Sequence, residues 1–249
     1  MGMTETFTHK GKSWMRIPAD PVDRFCVGAD LGQSSDPTAI AIVRHRVEPL
    51  EKWTPEEATT RNQYSVLRQD IDERFEVPHL ERVALGTSYR AIVQHVALML
   101  GHAPLRGADL VIDQTGVGAP IGDLFENAGL KPVRIVIAAG IEPVRHGHRK
   151  WSVPKTELIS NLDALLHTGM LKIAAELREA PALGEELKDF RRHVSEAGRN
   201  TYSARVGSHD DLVLSLSLAC WWLRRGRGKG GEFSFSIYNP YSGVVTPLK

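Results

Sequence analysis

Phe25-Cys26-Val27-Gly28-Ala29-Asp30-Leu31-Gly32 is a short apolar run that closes on a carboxylate and passes into a glycine turn. A run of this length, bounded by turn residues, reads as a strand. The residues Gln33-Ser34-Ser35-Asp36-Pro37 have loop chemistry, and Thr38-Ala39-Ile40-Ala41-Ile42-Val43 is a second apolar run. Together they predict a β-hairpin with a wide turn. Downstream, Ala108-Asp109-Leu110-Val111-Ile112-Asp113 repeats the first pattern, ending on a carboxylate before the glycine turn Thr115-Gly116-Val117-Gly118.

Working outward, residues 50–62 are polar and broken by Pro55, an excursion before a third strand around Tyr64 to Ile71. From His79 to Leu100 the spacing of Val83, Ile92, Val96 and Met99 predicts a helix, interrupted near Gly86. A helix from about Pro120 to Ala128 stops at Gly129, and Val133 to Ile137 is a fifth strand. The remainder reads as helices over about Pro154 to His167, Leu183 to His193 and Asp210 to Arg225, with a short strand near Thr201 to Arg205. Residues 1–23 show little periodicity and read as an N-terminal arm. Residues 226–249, rich in glycine and polar groups, read as a flexible tail, which leaves 24–225 as the folded domain. Three antiparallel strands, a helix, a parallel strand, a helix, a further strand and then helices follow the order of the ribonuclease H-like fold. The expectation is an α/β domain with a central five-stranded mixed sheet, order 3-2-1-4-5, flanked by helices. The crossover rule puts the fourth strand beside the first and parallel to it.

Composition is compatible with one such domain. The chain has 249 residues, 42% hydrophobic and 24% charged, and no apolar run approaches the roughly 20 residues of a membrane helix. A soluble protein without a membrane partner is expected. The N-terminus lacks the apolar centre of a secretory signal, so a cytoplasmic location is expected, with Cys26 and Cys220, both in apolar stretches, reduced. A net charge of +1 gives no global argument for nucleic acid. Positive charge is concentrated at 145–150, at 224–229 and in Arg191-Arg192-His193, and short runs of this kind are common on solvated surfaces. Gly11-Lys12-Ser13 matches only the end of a phosphate-binding loop, because Thr6 stands where the first glycine is needed.

If the first and fourth strands are neighbours, Asp30 and Asp113 lie at the carboxyl ends of adjacent parallel strands, about 4.8 Å apart between backbones, at the edge where open α/β sheets bind ligands. Two carboxylates so close repel, and a divalent cation relieves the repulsion; magnesium and manganese favour such oxygen ligands. A third acidic element, Ser208-His209-Asp210-Asp211, opens the last helix, whose first turn can project an aspartate toward the sheet edge. Each acid also has a local role open to it. Asp30 and Asp113 can accept from amides of their own glycine turns, and Ser208 with Asp211 fits a capping box. His209 can assist the metal site or serve structure. Lys155 can contact phosphate or simply be solvated at its helix start. Trp221 and Trp222 read as core or interface.

Gly28-Ala29-Asp30-Leu31-Gly32 with Asp36-Pro37-Thr38-Ala39, then Val111 to Gly118, then Val153-Pro154-Lys155-Thr156-Glu157-Leu158, and finally His209-Asp210-Asp211 before an apolar helix, resemble the nuclease domain of tailed-phage terminase large subunits. The order and spacing of these short motifs cover 24–225. The resemblance implies a metal-dependent endonuclease that cuts double-stranded DNA during phage genome packaging. It implies a two-metal site for Mg2+ or Mn2+ built from Asp30, Asp113 and Asp211, with Asp210 as substitute or fourth ligand, and no organic cofactor. Partners implied are DNA, a separate packaging ATPase, a small terminase subunit or a portal. The sugar-kinase, heat-shock and actin ATPases share the fold but need a second such domain. A Holliday-junction resolvase shares the carboxylates and the size, and a non-catalytic phage assembly module would keep the fold alone.

Overall fold

A φ of 73° at Gly11, a left-handed conformation that costs glycine little, lets the chain reverse between β1 (Glu5–His9) and β2 (Lys12–Ile17). The computed structural model describes residues 5–9, 11–32, 36–57, 65–196, 210–225, 235–238 and 245–248. The segment expected to be an arm thus holds two strands, and β2 runs parallel to a later strand at one sheet edge. Gly11-Lys12-Ser13 opens a strand rather than a helix and is no phosphate loop.

The next three strands, β3 (Val22–Asp30), β4 (Ala39–Glu56) and β5 (Ser65–Arg82), are antiparallel neighbours. β4 and β5 are far longer than the sequence suggested. Residues 50–56 of the polar stretch read as an excursion are the outer half of β4, where Pro55 pairs with Leu67 and the register shifts between Pro49 and Trp53, and residues 58–62 lie outside the described residues. Helix α1 (Tyr89–Gly101) therefore begins late: residues 79–82 remain in β5, Gly86 turns the chain at φ 84°, and the Ser88 side chain accepts from Ala91 N–H as the N-cap. β6 (Asp109–Asp113), α2 (Ala119–Asn127) and β7 (Val133–Ala138) follow as read, with β6 parallel to both β3 and β7.

β8 (Val144–Gly147) and β9 (Lys150–Pro154) form a hairpin from the basic run at 145–150, and β9 extends the sheet parallel to β7. α3 (Lys155–His167), β10 (Leu171–Ile173), α4 (Ala180–Glu196) and α5 (Asp211–Arg225) complete the domain. In the tail, β11 (Phe235–Tyr238) and β12 (Val245–Leu248) pair with each other. The strand expected at Thr201 to Arg205 lies outside the described residues.

The main sheet runs β1-β2-β5-β4-β3-β6-β7-β9-β8, with β10 against β5. Its centre, β5-β4-β3-β6-β7, is the expected ribonuclease H-like order 3-2-1-4-5, extended on both edges. Alternation along the strands divides the core into two layers. Val27, Ala29, Ile40, Ile42 and Ile112 pack with α1 and α2. Cys26, Ala39, Ala41, Val111 and Val153 pack with α3, α4 and α5 on the opposite face. Both cysteines are free and buried. Trp221 is in the core, edge-on to Trp151, whereas Trp222 is half-buried against it.

Candidate active site

Asp30 ends β3 and Asp113 ends β6, and the two are direct register partners in the parallel ladder. Because side chains alternate, Asp30 follows Cys26 and Gly28 onto the α5 face, and Asp113 follows Val111 onto the same face. α5 approaches that face closely because position 28 is glycine. A Cβ there would stand 2.1 Å from the Ser215 backbone oxygen and 3.1 Å from Ala219 Cβ. This contact brings the helix N-terminus, with Asp210 and Asp211, to the ends of the two strands.

The loops around the acids are fixed by their own chemistry. Asp113 Oδ1 accepts from Thr115 N–H at 2.7 Å, and Thr115 Oγ1 accepts from Ile137 N–H at 2.7 Å, which ties this turn to β7. After Asp30, Gly32 N–H donates to Thr38 Oγ1 at 3.1 Å and Gly32 C=O accepts from Tyr89 Oη at 2.9 Å. Asp113 therefore does have the local acceptor role read for it, while standing in the cluster.

Burial pushes the Asp30 carboxyl well above its ordinary range, and Asp113, Asp211 and Asp210 push it further against the pull of Lys155. Asp113 is also raised, chiefly by burial, with Thr115 and Lys155 opposing. Asp113 and Asp211 are buried, whereas Asp30 and Asp210 are half-buried. Lys155, the first residue of α3, donates to Asp210 Oδ2. His209 lies outside the described residues.

Two residues with no assigned role in the sequence also reach this cluster. Glu186 of α4 is buried; its Oε2 accepts from Val213 N–H at 3.0 Å and its Oε1 from Arg82 Nη2. Arg82, the last residue of β5, also stands 3.4 Å from Glu179 and 4.0 Å from Asp211 Oδ2. The signal for Glu186 was a carboxylate three residues beyond the core residue Leu183, on the buried stripe of a helix.

The donor set is all carboxylate oxygen, which suits a hard divalent cation and not a soft one. Among the described residues, no three His, Cys, Asp or Glu side chains are already drawn together at the separations of a metal cage. Lys155 at Asp210 and Arg82 near Asp211 supply the counter-charge instead.

No protein-family model matches the sequence. The terminase large subunits of Thermus phage G20c and Thermus virus P23-45 are each 25% identical over 198 residues, covering 78% of this chain. This chain is similar to phage terminase large subunits. The resemblance read from the terminase motifs thus extends to most of the sequence, although the aligned part is only 31% of each relative's length. Among solved structures, the large terminase nuclease of the thermophilic phage G20c gives a TM-score of 0.48 at 20% identity, covering 79% of this chain and 81% of that one. The human cytomegalovirus terminase nuclease domain gives 0.40 at 16%, covering 80% and 84%. Both scores fall below 0.5, and the fold rests on the strand order above. No helix among the described residues is long and apolar enough to cross a membrane.

Proposed function

We propose that the chain is a divalent-metal-dependent endonuclease that cuts double-stranded DNA during phage genome packaging, with Asp30, Asp113 and Asp211 as its essential carboxylates. The observation that carries this reading is the register pairing of Asp30 with Asp113 on the face that receives the Asp210-Asp211 end of α5. Carboxylates held side by side in a ladder, one buried and one half-buried, are costly to ionise in the absence of a cation, which is the arrangement expected of a site built to bind one.

Asp30, Asp113 and Asp211 would hold Mg2+ or Mn2+, with Asp210 as a further oxygen donor released from Lys155. The bound ions would lower the pKa of an attacking water and stabilise charge on the scissile phosphate. The chain's own residues orient that chemistry. Thr115 N–H fixes Asp113, the β3–β6 ladder fixes the spacing of its two acids, and Lys155 is a cation at the mouth of the same cluster. None of the described site residues reads a base edge, so cutting should be governed by backbone phosphates and show little sequence preference. The terminase resemblance supports a place in the host cytoplasm beside a packaging ATPase, a small terminase subunit or a portal.

Plasmid cleavage by the purified chain, with manganese or magnesium and again in chelator, tests the reading. Metal-dependent nicking that is lost in Asp30→Asn and Asp113→Asn is expected. Activity that survives full chelation would overturn the metal assignment. Absence of any cutting with manganese would leave the assembly module, and a preference for four-way junctions would turn the assignment to a resolvase.

A further inference from the structure

Arg82 ends β5, Glu186 lies on α4 and Asp211 begins α5, so three separate elements meet at the N-terminus of the last helix. The Glu186 carboxylate is shared: Oε2 takes the Val213 N–H, one of the first-turn donors that a helix leaves unsatisfied, and Oε1 takes Arg82. The guanidinium that is tied to Glu186 reaches Glu179 with a second nitrogen and places its Nε 4.0 Å from Asp211 Oδ2. Side-chain exposures of 6% for Glu186, 10% for Asp211 and 23% for Arg82 mean that these charges interact through protein more than through water.

We propose that Glu186 is a positioning residue for Asp211: it fixes the first turn of α5 and holds Arg82 beside Asp211 without letting Arg82 form a closed ion pair with it. The inference rests on the metal-dependent reading of the site. Glu186 and Asp211 compete for one guanidinium. With Glu186 ionised, Arg82 is bound to it and stands 4.0 Å from Asp211 rather than on it. With Glu186 neutral, the charge on Arg82 is shared between Glu179, at 3.4 Å, and Asp211, at 4.0 Å, and a metal at Asp211 must then compete with it. Val213 N–H is satisfied in either case if an oxygen remains at the position, which separates the electrostatic role from the capping role.

Glu186→Gln makes that separation, because the amide oxygen can still accept from Val213 while the pull on Arg82 is weakened. The wild type and Glu186→Gln should be compared by the manganese dependence of plasmid nicking and by direct manganese titration in a calorimeter. The expected result is a roughly tenfold or greater rise in the manganese concentration for half-maximal nicking, with the maximal rate at saturating metal little changed, as for loss of a group that orients a metal ligand. Titration should show the same weakening. In an Asp211→Asn background, Glu186→Gln should cause no further loss of manganese affinity, because the residue through which it acts is gone. Arg82→Gln provides a second variant: without the competing cation, Glu186→Gln should no longer shift the metal dependence. A lower melting temperature with an unchanged manganese half-saturation in Glu186→Gln would reduce the residue to a cap and overturn the inference. A wild-type chain that neither binds manganese nor nicks DNA would instead overturn the nuclease reading on which it rests.

Discussion

Asp30 faces Asp113 across a parallel ladder whose register is fixed by four further pairs, from Cys26 with Asp109 to Ala29 with Ile112. Neither acid can move away from the other without breaking buried backbone hydrogen bonds. The charge conflict is therefore built into the sheet.

Asp30→Asn should separate function from stability. Burial and the neighbouring acids already disfavour the ionised form of Asp30, and a neutral amide escapes that cost, so the metal-free protein should melt at the parent temperature or above it in chelator. Nicking should fall by on the order of a hundredfold or more. A clear drop in melting temperature with nicking retained would make Asp30 a loop residue.

The neighbouring acids of α5 should behave differently from one another. Asp210 is paired with Lys155 in a half-buried site, so Asp210→Asn should lower metal-free stability, by about 1 kcal/mol or less. Asp211 is buried and repels Asp30 and Glu186 but also faces Arg82 at 4.0 Å, so Asp211→Asn should change metal-free stability little while abolishing cleavage. Thermal melts in chelator beside nicking assays distinguish them, and the reverse pattern would move the essential role to Asp210.

The pH dependence of stability carries a defined sign at Glu186. Burial raises its carboxyl to about 7, outweighing the opposing pulls of Val213 N–H and Arg82. An acid whose folded pKa exceeds its unfolded one stabilises the native state fully below the unfolded pKa, and that contribution is lost as pH rises toward the folded pKa. For Glu186 the window runs from 4.5 to about 7, worth roughly 3 kcal/mol when complete. Glu186→Gln lacks this loss, so its melting temperature relative to the parent should climb between about pH 5 and about pH 8 in chelator. A flat difference across that range would show that Glu186 is not raised.

Gly28→Ala tests the approach of α5. The added methyl would meet a backbone oxygen, Ser215 O, at 2.1 Å, which no side-chain rotation can relieve. A loss of about 3 kcal/mol or more is expected in chemical denaturation, with cleavage falling as the helix is displaced. Parent-like stability would mean that the helix can back away at little cost.

A chain ended after Arg225 should melt cooperatively at the parent temperature, since α5 finishes there and β11 and β12 pair only with each other among the described residues. Loss of the cooperative transition would place residues 226–249 in the core.

The central sheet was legible because its strands announce themselves. Phe25 to Asp30 and Ala108 to Asp113 are apolar runs with turns attached, and handed crossovers leave one arrangement for them. The long outer halves of β4 and β5 were not, because there Arg68, Asp70, Asp72, Glu73, Arg74 and Glu76 mix ionic residues into both faces and erase the alternation that marks a half-buried strand. Part of His79 to Arg82 was absorbed into a helix for the same reason. Among the candidate site residues, the three aspartates could be picked out because each sits at an element end, where local pattern and topology coincide. Arg82 and Glu186 are separated by 104 positions in sequence and meet only through packing of α4 over β5, and no local pattern encodes that meeting.

The close seat of α5 against Gly28 has a consequence in time. Residues from Asp211 through Trp221 are buried, so the helix that carries the last acid is also the one that closes the core on its face of the sheet. A ribosome that has delivered Asp30 and Asp113 has made an open sheet with one side still exposed, and the third carboxylate arrives only with the segment that seals it. Under the nuclease reading, a growing or half-folded chain is harmless to the DNA around it, and the ability to cut appears in the same event that completes the fold.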